Sequence, residues 1–140
     1  MKRNAHVCIS AVSKKDEILE FRDAGLYGGL EEFLDTSHTE KREQEEIIKV
    51  QGKTLASILK AFNAPKIIDF ISIDVEGGER EVLEQLVSMK DYFFKCGCIE
   101  HNFRKDDLEF FKDLLLSSNY KIAWKDQTEH DLFFINSEII

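Results

Sequence analysis

The sequence predicts an α/β protein, a sheet with helices packed on its faces. From Thr54 onward the periodicities alternate helix, strand, helix, strand, helix, strand, strand. Within that series lies a near-continuous apolar run, Ile67-Ile68-Asp69-Phe70-Ile71-Ser72-Ile73, the pattern of a central strand buried on both faces. The chain has 140 residues, 43% hydrophobic and 33% charged, with one proline. That composition suits one globular domain over residues 1–140 with a single core.

The elements follow in order. Ala5, Val7, Ile9 and Ala11 alternate with other residues, which predicts a strand from Ala5 to Val12. Ile18, Leu19 and Phe21 predict a short second strand after the turn at residues 13–16. Residues 23–46 lose the pattern to glycines, hydroxyls and mixed charges, and read as a mobile surface excursion. Ile47, Ile48 and Val50 restore a strand. Thr54 can cap a helix whose apolar positions are Leu55, Ile58, Leu59 and Phe62, with Pro65 ending it. After the apolar run, Asp74 to Gly78 form a turn, and Val82, Leu83, Leu86 and Val87 mark one face of a helix. A strand follows over Cys96 to His101, then a helix from Asp106 to Ser118 with Leu108, Phe111, Leu114 and Leu115 inward. Asn119 suits the left-handed terminator, and Tyr120–Trp124 with Leu132–Ile135 close the fold as an antiparallel pair.

The formal net charge of −8 disfavours nucleic-acid partners and leaves cationic or uncharged small molecules, or a protein, as the easier ligands. No stretch approaches the roughly 20 apolar residues of a membrane helix. The N-terminus lacks the apolar core of a signal peptide, so the expected location is cytoplasmic, without a membrane partner. Cys8, Cys96 and Cys98 are an odd set without disulfide or zinc spacing, and read as buried, reduced thiols.

Two clusters can carry chemistry. Asp74-Val75-Glu76-Gly77-Gly78-Glu79 ends the apolar strand, the place where open α/β sheets bind ligands. Its acids equally suit the positive end of the next helix. Glu100-His101-Asn102 ends the following strand and should lie beside the first cluster, supplying an acid, an imidazole and an amide. A metal site of Asp74, Glu76 and His101 is open on residue types, but the spacing is not diagnostic and no metal is expected. His6, His38 and His130 read as structural. Gly25-Leu26-Tyr27-Gly28-Gly29 neither follows a strong strand nor opens a clear helix, so it makes a weak phosphate loop.

Ile68-Asp69-Phe70-Ile71-Ser72-Ile73-Asp74-Val75-Glu76-Gly77-Gly78-Glu79, with Val82-Leu83 behind it, resembles the signature of FkbM-type methyltransferases. Many members have lysine at the position of Ser72, and the serine form is similar to another branch. Ile99-Glu100-His101-Asn102, Asn119-Tyr120, Asp131-Leu132-Phe133-Phe134-Ile135, Ala11-Val12-Ser13 and Lys53-Thr54-Leu55 resemble the family in the same order. The resemblance implies a Rossmann-like class I methyltransferase sheet, S-adenosylmethionine as cofactor, and O-methylation of a small-molecule or sugar acceptor. It places Ala11, Val12, Asp74 and Val75 against the cofactor, and Asp74, Glu76, Glu100 and His101 as catalytic residues. The family's opening strand, glycine-rich loop and second strand have no counterpart upstream of Thr54. The expectation is therefore a partial domain, N-terminally truncated by two strands, with an exposed sheet edge. Such an edge calls for a homodimer or a partner chain, and a non-catalytic, partner-binding module is the alternative function. A metal-dependent hydrolase built on Asp74, Glu76 and His101 is a third.

Overall fold

The computed structural model describes residues 5–25, 28–30, 32–33, 45–125 and 129–138. Among them the order is β1 (Ala11–Val12), β2 (Glu17–Arg22), β3 (Gly29–Leu30), β4 (Ile47–Lys53), α1 (Leu55–Ala61), β5 (Ile67–Ile73), α2 (Glu79–Ser88), β6 (Phe93–Glu100), α3 (Lys105–Ser117), β7 (Tyr120–Ala123) and β8 (Asp131–Asn136). The α/β class and the closing antiparallel pair are as the sequence predicts. No helix among the described residues is long and apolar enough to cross a membrane.

The strands form two mixed sheets. The first runs β1-β4-β2-β3, with β1 parallel to β4 and the other pairs antiparallel. The second runs β5-β6-β8-β7, with only β5 and β6 parallel. Helix α1 starts where Thr54 Oγ1 accepts the Ser57 N–H at 3.1 Å. Asn63, in the left-handed region at φ 50°, follows its end. The fully buried side chains include Leu83 of α2, Ile99 of β6, Phe111 and Leu115 of α3, and Leu132 and Phe134 of β8. These come from α2, α3 and the middle of the second sheet, so the core lies between helix pair and sheet. Gln85 of α2 ties this body to the first sheet. Its Nε2 donates to Ser13 O at 3.1 Å, and its Oε1 accepts the Leu55 N–H at 2.8 Å.

Three expectations are corrected. The strand expected from Ala5 shrinks to Ala11–Val12, because β4 offers partners only at Gly52 and Lys53, and Val7 and Ile9 lie exposed. Cys8 on that segment is exposed as well, whereas Cys98 is buried. The run 67–73 is an edge strand, not one buried on both faces. Among the described residues it pairs with β6 alone, and Ile67 is 51% and Phe70 55% exposed. Much of the excursion over residues 23–46 lies outside the described residues.

Candidate active site

Pairing places the two predicted clusters side by side. Ile73 is opposite Ile99, so Asp74 follows opposite Glu100, and Glu100 pairs in turn with Asp131 of β8. An acid row thus crosses three strands at one end of the sheet. The next row on the same face is Ser72, Cys98 and Phe133, and the one beyond is Phe70, Cys96 and Ile135. Ser72 Oγ lies 3.4 Å from Cys98 Sγ, and Trp124 stacks edge-on against Phe133 at 5.2 Å between centroids. The face grades from carboxylates through a hydroxyl and a thiol to apolar side chains.

Asp74 and Glu100 share a hydrogen bond. Burial, then the charges of Asp74, Glu76, Glu79 and Asp131, push the Glu100 carboxyl up to about 7. Burial also raises Asp74, followed by Glu79 and Asp131. Two carboxyls this close titrate as a coupled pair. Burial raises Cys98, so its thiol stays protonated and is no activated nucleophile.

The β5–α2 turn is held from below by Glu79. One of its oxygens accepts the Val75 N–H at 3.1 Å and the Gly77 N–H at 3.0 Å, and the carboxylate is 1% exposed. Glu76 at φ 55° and Gly77 at φ 117° make the bend. Gly77 is required twice over, by that φ and because a Cβ there would strike the backbone oxygen of Phe33. The β6–α3 turn is bent likewise, with Asn102 at φ 44° and Phe103 at φ 60°.

The remaining predicted residues separate. The His101 ring is 2% exposed and neither ring nitrogen has a hydrogen-bond partner. Burial lowers its basicity. Its backbone N–H donates to His130 O at 2.8 Å. Carboxylate oxygens of Asp74, Glu79 and Glu100 converge within 4.8 Å of one another, a group that includes neither Glu76 nor His101. Ala11 and Val12 lie in the other sheet, half-buried. Glu79 stands in the first predicted cluster without a role of its own, and Arg104 is not singled out in the sequence. The available signal was an acid in a first helical turn, where free backbone N–H groups wait for an acceptor.

The family model of the methyltransferase FkbM domain matches residues 3–122. The chain belongs to the FkbM methyltransferase family. Comparison with curated proteins and with solved structures finds no match. In this FkbM domain the matched span holds Asp74 and Glu100, while Asp131 and β8 lie beyond it.

Proposed function

We propose that this FkbM domain is an S-adenosylmethionine-dependent methyltransferase acting on a hydroxyl of a small molecule or sugar, with its chemistry at the strand ends of a Rossmann-like sheet. The observation that carries the reading is the Asp74–Glu100 pair, two hydrogen-bonded carboxyls at adjacent parallel strand ends. The left-handed bends at Glu76 and Phe103 flank that pair, and residues held in sparsely populated backbone regions concentrate at functional sites.

The donor set fits the cofactor. Asp74, Glu76 and Asp131, joined by Glu100 once it ionises, concentrate negative charge where a cation gains most. S-adenosylmethionine supplies, when bound, an electrophilic methyl group on a positively charged sulfur. The chain's own work is to orient the acceptor and to receive its proton. Glu100, titrating near 7, is balanced to take a hydroxyl proton as the oxygen is methylated, with Asp74 sharing it. His101, buried and neutral, serves the scaffold of the β6 turn in this reading. Val75, in the turn itself, and Ala11 and Val12, at the end of β1, are proposed to flank the cofactor. Positioning contributes more than acid–base help in such a transfer.

Isothermal titration with S-adenosylmethionine and S-adenosylhomocysteine tests the reading. Micromolar binding that weakens at least tenfold in Asp74→Asn is the expected result. A folded protein with no detectable binding would sink cofactor use by this chain.

The free edge of β5 supports a companion proposal. Among the described residues no strand pairs with it, and Ile67 and Phe70 are exposed along it. We infer that a second copy or a separate chain covers this edge.

A further inference from the structure

We infer that Glu79 and Arg104 are positioning residues, which fix the spacing of Asp74 and Glu100 through a chain of charges lacing the first turns of α2 and α3. The inference rests on the reading of that carboxyl pair as the working acids.

Each strand end is followed within a few residues by a helix start, so the pair's separation depends on how the two turns are held together. Glu79 Oε2 accepts from Arg104 Nη2 at 3.3 Å. Arg104 Nε forms an ion pair with Asp107 Oδ2 at 2.7 Å, and Asp107 Oδ1 accepts from Arg80 Nε at 2.6 Å. The Arg80 guanidinium sits 4.7 Å from the centroid of the Phe110 ring. The signs alternate along Glu79, Arg104, Asp107 and Arg80, so the chain is neutral as a whole and spans both helices. A buried Glu79 carboxylate left without its cation would be strongly destabilising. At one end Glu79 grips the Val75 and Gly77 amides, directly behind Asp74. At the other, the backbone N–H of Arg104 donates to His101 O at 2.8 Å, directly behind Glu100. Both working acids are therefore indexed to the same residue, Asp74 through its guanidinium and Glu100 through its backbone. Its Nη2 stands against Glu79 and its Nε against Asp107 as an ion pair, two contacts that a single lysine ammonium does not reproduce.

The test is the carboxyl titration of Glu100 by carbon NMR in the cofactor-free chain, comparing the parent with Arg104→Lys and Arg104→Met. The expected result is a fall of the Glu100 midpoint in both variants from about 7, as Asp74 draws away while burial, the larger cause, keeps the midpoint above the ordinary 4.5. Simple electrostatics predicts otherwise. Loss of a cation in Arg104→Met would raise the midpoint, and retention of charge in Arg104→Lys would leave it unchanged. Either of those outcomes overturns the inference. Should Arg104→Met fail to fold, the lysine variant alone decides. A fall in the midpoint in a chain that binds no S-adenosylmethionine keeps the positioning role and removes the methyltransferase reading. Cofactor binding with an unmoved midpoint does the reverse.

Discussion

Glu100 keeps its proton to about pH 7 because burial and four neighbouring acids oppose its ionisation. The sign of the stability effect follows. Between pH 4.5 and 7 the unfolded chain has released a proton that the native state still holds, so stability falls as pH rises through that window. Glu100→Gln removes the penalty, and its melting temperature at pH 8 should exceed that of the parent while the two converge below pH 4.5. Equal melting temperatures at pH 8 would show that Glu100 is not under this strain. His101 contributes the opposite slope. Its neutral, buried ring adds stability above the ordinary 6.5, lost as pH falls below it. That Asp74 and Glu100 would lie side by side was legible in the sequence, because each ends one of two successive apolar strands. The role of Glu79 was not, because an acid in a first helical turn looks the same whether it faces solvent or grips a bend. His101 was read as facing the site, yet its ring is buried, and a strand-end pattern cannot say which way the last residue turns.

Thr54 shows how much a short element depends on its end. Helix α1 has 7 residues, too few to be stable by propensity alone, and its first turn is closed by the Thr54 hydroxyl on the Ser57 N–H. Thr54→Ala should cost about 1 kcal/mol in urea unfolding. A change within error would mean that Gln85, holding the Leu55 N–H, fixes the helix start unaided. The helices were readable because their apolar spacing and terminators agree, as at Asn119, left-handed at φ 66°. The strands misled in one respect. The apolar run of β5 has the composition of an interior strand, but composition records what a strand tolerates, and pairing decides where it sits. The alternation at Ala5–Ala11 failed for the same reason, having no partner strand to register against.

The two sheets make a molecule with an open side. Parallel strands are ordinarily covered on both edges and faces, whereas among the described residues β5 has one paired edge, and Phe70 stands on the face that carries Cys96 and Ile135. If a second copy covers that edge, sedimentation velocity should show a dimer that Phe70→Lys converts to monomer. A monomer at every concentration, with the parent folded, would leave a separate chain as the partner. The net charge of −8 works against self-association at low salt, so the dimer should tighten as salt is raised. The division into two sheets could not be read in advance. The linear order of strands is compatible with one continuous sheet, and which edges meet is settled by packing around Gln85 and the core.

Phe33 resting on Gly77 has a consequence for how this protein can vary. The bend that carries the acids is roofed by the turn after β3, and the atom nearest to a side chain built at position 77 is the backbone oxygen of Phe33. Substitution at residue 33 leaves that oxygen in place, so a side chain at position 77 is excluded for as long as the backbone of the turn keeps its course.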